Sequence, residues 1–293
     1  MRFSHGVSAV FDDPNLVSVA GLGPVMALAE RCGLCGLSAR WLSLSGPGSP
    51  NPGLKIPALV GAMVAGADSI ADTDLLRHGG MARLFTGIRA PSTLGSFLRT
   101  FTFGNVRQLD AVASRLLSNL GTHTPVLAGA DQLAFVDIDD TVRETYGYAK
   151  QASGYGYSGV NGLNALIGVA STPIAAPVVT NSRLRRGAAN SARGAARFVT
   201  DAVSNARGAG AAGEIIVRMD SAFYNAAVIA ACRRAAARFS VTARMNTSVQ
   251  AAIAGIPDQA WTPIRYPNAI YDEDENRWIL RGRGRRNHLH RLH

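Results

Sequence analysis

The sequence predicts an α/β domain built on a mixed sheet, preceded by an all-helical N-terminal region. Two observations carry this. Up to about Thr124 the apolar residues recur at helical spacing between turn signals, and after it short apolar runs of strand length begin. The order of elements that follows is β-β-β-α-β-α-β-α.

The helical region is expected over residues 1–124. A first apolar-periodic stretch runs from Val25 to Leu37, and SGPGSPNPG, Ser45 to Gly53, then breaks regular structure as a long turn or linker. Further helical segments are expected at Ile56–Ala65, Thr73–His78, Ser92–Phe101 and Val106–Leu120, with Asp68 and Asp72 as capping candidates. Residues 125–279 form the expected α/β domain. LAFVDID, Leu133 to Asp139, reads as a buried strand, and Gly-rich sequence from Gly147 to Gly162 follows. Leu163–Ala170 and Pro177–Thr180 read as two more strands, so three in succession can form an antiparallel meander. Asn190 or Ser191 caps a helix running to about Arg207. Its Ala195, Phe198, Val199, Ala202, Val203 and Ala206 share one face. Glu214–Met219 is a fourth strand, Ser221 caps a helix through Ala237, Phe239–Met245 is a fifth strand and Thr247–Ala254 a short helix. This is the strand and helix order of the ribonuclease H fold.

Lys and Arg number 30 against 20 Asp and Glu, a net charge of +10, and only Lys55 and Lys150 are lysine. A pI near 10.2 fits a polyanionic partner, most simply nucleic acid. Between Arg183 and Arg244 eleven Arg face only Asp201, Glu214 and Asp220. Of these, Arg183, Arg185, Arg186 and Arg193 are phosphate-contact candidates, as is Lys150. Tyr146, Tyr148, Tyr155 and Tyr157 lie near Lys150 in sequence, and such aromatics either stack on unpaired bases or pack the Gly-rich loop. No apolar run of 18 residues is present and the start, MRFSHGVSAVFDDPN, lacks the apolar core of a signal peptide. The expectation is a cytoplasmic, nucleoid-associated protein without a membrane partner. Cys32, Cys35 and Cys232 include one CxxC pair with no second pair to complete a zinc site, so reduced buried thiols are expected.

Two strands end in acid. In FVDIDDT alternation sets Asp137 and Asp139 on one face, away from Val136 and Ile138. In IIVRMDS the strand gives way to a helix at Asp220. The first and fourth strands of a ribonuclease-H-like sheet are neighbours, which sets Asp139 and Asp220 about 4.8 Å apart in the strand-to-strand direction. Two carboxylates so placed repel unless a cation lies between them, and hard oxygen donors favour Mg²⁺ or Mn²⁺. Taken singly, Asp220 is a helix cap and Asp140 a turn residue. The topology is what favours a metal pair.

FVDIDDTVRETYGYAKQASGYGYSGVNGLNALIG resembles the first catalytic segment of a DDE insertion-sequence transposase family, and IIVRMDSAFYN resembles the second. DTDLLRHGGMARLFTGIRAPSTLGSFLRTFTFGNVRQLD is similar to that family's N-terminal part, and the resemblance spans nearly all of residues 20–278. It implies that Asp139 and Asp220 are the first two members of a catalytic and metal-binding triad, with Asp137 a substitute for Asp139. It further implies a two-metal site for Mg²⁺ or Mn²⁺, transposon-end and target duplex DNA as partners, and a homodimer on DNA. The family's third carboxylate, a Glu in a Tyr-Arg-x-x-Trp-x-Ile-Glu context, has no counterpart. Glu273 and Glu275 lie in the acidic stretch YDEDEN, so neither is assigned.

From Leu280 to His293 the chain, LRGRGRRNHLHRLH, holds five Arg, three of the six His and no acid. A disordered basic tail is expected, and a frameshift that removes the catalytic Glu is one origin for it. Two other readings remain open. FVDIDDT also fits the Asp-x-Asp-x-Thr motif of haloacid-dehalogenase-like phosphatases, with Asp137 as nucleophile and Asp139 as acid/base. A chain without the third carboxylate also fits a DNA-binding protein that neither cuts nor joins.

Overall fold

The computed structural model describes residues 13, 15–146, 150–261, 269–273, 277–282 and 285–286. The chain forms two units, Met1–Val241 and Thr242–His293.

The first unit opens with helices α1 (Leu22–Arg31) and α2 (Leu34–Trp41). The stretch read as one helix is two because Gly33 sits between them at φ +88°, a left-handed turn that glycine adopts without a Cβ clash. Helices α3 (Pro52–Val64), α4 (Pro91–Arg99) and α5 (Phe103–His123) follow, with 3-10 turns at Ala71–Arg77 and Gly79–Arg83. Asp72 caps no helix. It lies inside the first of these turns and accepts from the backbone and hydroxyl of Ser69. Helix α5 starts from a capping box in which Thr102 and Asn105 serve each other's backbones.

The sheet holds β1 (Leu133–Glu144), β2 (Gly154–Tyr155), β3 (Asn161–Ser171), β4 (Val178–Arg186), β5 (Glu214–Met219) and β6 (Arg238–Val241). β1, β3 and β4 are an antiparallel meander, and β5 and β6 extend it in parallel on the other side of β1. The spatial order β4-β3-β1-β5-β6, with two-residue β2 beside β3, is the ribonuclease-H-like arrangement. Helix α6 (Ala195–Gly208) follows β4, and α7 (Ala226–Arg234) joins β5 to β6.

One face of this sheet is a core. Ala134, Val136 and Ile138 of β1, Leu166 and Ala170 of β3, and Ile215 and Val217 of β5 are buried with the predicted stripe of α6, Ala195 through Ala206. The alanines let the helix approach closely while Phe198, fully buried, contributes about 1.5–3 kcal/mol through its apolar surface. The other face, the odd-numbered residues of β1 and β3, is half-buried to exposed.

The structure draws unit boundaries elsewhere than the sequence does. The division expected at residue 124 falls at the end of α5, but packing continues across it. Leu117 of α5 belongs to the sheet core, Ser114 Oγ donates to Asn205 Oδ1 of α6 at 2.6 Å, and Ser118 Oγ donates to the Gly208 carbonyl at 3.2 Å. The division within the expected α/β domain comes after β6. The second unit contains α8 (Thr247–Ala254), capped by Asn246, and strands β7 (Ala269–Asp272), β8 (Arg277–Gly282) and β9 (Arg285–Arg286). Of the tail expected from Leu280, residues 280–282 and 285–286 are described, and they lie in strands. β8 pairs with β7 through Leu280↔Ala269 and then with β9 through Arg281↔Arg286, so local pairing orders residues that lack apolar periodicity. Residues 283–284 and 287–293 lie outside the described residues.

Candidate active site

β1 and β5 pair in parallel from Leu133↔Glu214 to Ile138↔Met219. The next step of that register sets Asp139 opposite Asp220, on backbones about one strand spacing of 4.8 Å apart. β5 ends there because Asp220 turns the chain. Its Oδ1 accepts from the Ala222 N–H at 2.9 Å and caps a 3-10 turn at Ser221–Phe223. β1 runs on to Glu144 beside β3 alone. Asp139 Oδ1 accepts from the Asp140 N–H at 2.8 Å. Both carboxylates are exposed, and among the described residues no cation pairs with either.

Asp137 differs. Arg218, its register partner on β5, donates through Nε and Nη2 to both carboxylate oxygens at 2.6 Å, and the guanidinium lies 4.3 Å over the Phe135 ring. This fork raises the Arg218 pKa above its ordinary value, chiefly through the hydrogen bond to Asp137. Asp137 is thus already neutralised, which disfavours it as a substitute for Asp139.

Asp140 points to the other face and enters a buried network that the sequence reading missed. Asn164 Nδ2 and Arg185 Nη2 donate to its Oδ2 at 2.7 and 2.8 Å, and the side chains of Asp140 and Arg185 are 6% and 8% exposed. Arg185 also donates to Asn164 Oδ1 and, through Nη1, to the carbonyls of Asn190, Ser191 and Arg193. Burial lowers its pKa, with Asp140 opposing. With every guanidinium nitrogen committed inside the chain, Arg185 is withdrawn as a phosphate contact. Arg183, on the same strand face, pairs with Asp201 at 2.8 Å and lies 5.3 Å over Phe198, mostly buried. Lys150, Arg186 and Arg193 are exposed. The signal for this division is strand parity, which needed β4 to be recognised as running to Arg186.

Tyr155 and Tyr157 are exposed, as is Tyr146, whose hydroxyl donates to Glu144 at 3.0 Å. Tyr148 and Glu275 lie outside the described residues, and Glu273 is exposed in a turn of the second unit. Among the described residues, no three His, Cys, Asp or Glu side chains form a metal-holding group. Cys32 and Cys232 are buried free thiols, and burial pushes the Cys35 and Cys232 thiols up.

A family model described as Transposase DDE domain group 1 matches residues 1–278. The chain belongs to the DDE transposase family. Membership agrees with the strand order. It removes the phosphatase alternative, which the antiparallel β3 beside β1 and the Arg218 fork on Asp137 also oppose. The search of curated proteins found no match. Among solved structures, the transposase chain is similar to one in the crystal structure of the Mos1 strand transfer complex, at 11% identity and a TM-score of 0.21 over 65% of this chain and 57% of that one. It is also similar to one in a pre-cleavage Mos1 transpososome, at 10% identity and a TM-score of 0.20 over 63% of this chain and 58% of the other. The transposase chain therefore spans under three fifths of both solved chains. No helix among the described residues is long and apolar enough to cross a membrane.

Proposed function

We propose that this transposase binds duplex DNA, transposon ends and target alike, and acts on its phosphodiesters through a divalent cation held by Asp139 and Asp220. The observation that supports the reading is the β1–β5 register, whose last pair is Ile138↔Met219 and whose next step would set the exposed Asp139 and Asp220 on neighbouring backbones, neither in an ion pair among the described residues. Their donor chemistry fits a hard cation, Mg²⁺ or Mn²⁺. Bound there, the ion supplies Lewis acidity and lowers the pKa of water. The chain's own residues do the rest. Arg218 holds Asp137 out of competition, and the backbone N–H groups of Asp140 and Ala222 orient the two carboxylates. Arg186, Arg193 and Lys150 offer exposed charge to phosphates, and assembly as a homodimer on DNA belongs to the same reading.

With two carboxylates as its protein ligands, cation binding is expected to be weak. Mn²⁺ binding followed by electron paramagnetic resonance tests this. Wild-type protein is expected to bind Mn²⁺ weakly, Asp139→Asn and Asp220→Asn to lose it, and Asp137→Asn to retain it. Equal binding by all four proteins overturns the assignment. A strand-transfer assay with Mn²⁺ separates this reading, if product appears, from that of a DNA-binding protein that neither cuts nor joins.

A further inference from the structure

The open face of the sheet carries a graded sequence of chemistry away from Asp139. Register and alternation place the residues in cross-strand rows on that face. The first row is Asp139 on β1, Ile167 on β3 and Ser182 on β4. The second is Thr141, Ala165 and Leu184, short or apolar and uncharged. The third is Arg143, Leu163 and Arg186, two exposed arginines flanking a half-buried leucine. In the fourth, Asn161 lies between Thr145, whose N–H donates to its carbonyl at 3.1 Å, and Tyr155 of β2. Tyr155 is 71% exposed. Neither Arg143 nor Arg186 is in an ion pair among the described residues, in contrast to Arg183 and Arg185 on the opposite face. From Asp139 to the Tyr155 row is about 20 Å along β1, roughly six base steps at duplex rise.

We propose that a single nucleic-acid strand runs along this face from Asp139 to Tyr155, its phosphates on Arg143 and Arg186 and an unpaired base stacked on Tyr155. This depends on nucleic acid being the substrate, as proposed above. The uncharged second row lets the strand lie close to the sheet. Arginine forks suit phosphate oxygens, and a tyrosine held in the open offers a ring to any base. Because β5 ends at Met219, no strand lies beside β1 on that side from Asp139 to Glu144 among the described residues.

The test uses the full chain in EDTA, so that it does not depend on the metal site, with a single-stranded oligonucleotide carrying 2-aminopurine and a duplex of the same sequence. Wild-type protein should quench the probe. Tyr155→Ala should lose the quenching and bind the single strand about 5- to 100-fold more weakly, with duplex affinity unchanged, while Tyr155→Phe retains both. The double variant Arg143→Gln/Arg186→Gln should lower the slope of log affinity against log salt by about 1.4, at about 0.7 per phosphate contact. Arg234→Gln, at the end of α7, should leave the slope unchanged. Asp139→Asn should still bind the strand, which separates this track from the metal site. Wild-type quenching by Tyr155→Ala, a slope in the double variant no lower than in Arg234→Gln, or no binding of single strands by wild type overturns the proposal.

Discussion

Strand β1 carries two aspartate–arginine pairs on opposite faces, and they do opposite kinds of work. Asp140–Arg185 is buried and shares its hydrogen bonds with Asn164 and three backbone carbonyls, so it ties β1, β3, β4 and the approach to α6 together. Asp137–Arg218 has a better fork but 42% and 45% exposed side chains, where water and salt screen it. Geometry alone ranks the second pair higher. Burial reverses the order, because a partner lost from the first leaves a charge that cannot be rehydrated.

Breaking the buried pair should therefore have the largest effect. Arg185→Met is expected to cost about 3–5 kcal/mol in urea unfolding, since Asp140 is left unpaired. Adding Asp140→Leu should recover much of the loss. A single variant as stable as wild type would remove the distinction between the faces. Adjacent residues on β3 sharpen it. Leu166→Ala, on the buried face, should cost about 3 kcal/mol, and Ile167→Ala, on the open face, about 1 kcal/mol. Equal losses in the two would mean that the open face is covered as the other is. The smallest effect is expected at the open pair. Arg218→Met should change stability by less than about 1 kcal/mol. The sharper readout is chemical, since the freed Asp137 should strengthen Mn²⁺ binding.

Much of the fold was legible because periodicity reports burial. The α6 stripe from Ala195 to Ala206 and the limits of β5 were read correctly, as all six stripe residues are buried and β5 spans Glu214–Met219. Loss of legibility followed loss of burial. The apolar pattern ends β1 at Asp139 and β4 at Thr180, yet the strands reach Glu144 and Arg186. Their outer halves are held by polar side chains, Asp140 and Arg185 with Asn164 between them, which leave no apolar signature. The shortened β4 hid the parity that separates Arg185 from Arg186. Likewise Asn225, not Ser221, caps α7, since Asp220 first closes a separate 3-10 turn. The acids at the strand ends were visible as a pattern. Which of them is already neutralised depends on Arg218, a contact across 81 residues of sequence.

The overhang of β1 past β5 also bears on solubility. A strand edge with free N–H and C=O groups is a template for a second copy of the same strand. Between Asp139 and Glu144 the sequence is Asp-Asp-Thr-Val-Arg-Glu, four charges in six residues. Such an edge disfavours in-register stacking, because like charges would align from copy to copy. The charges of this edge are thus a barrier to fibril growth along it.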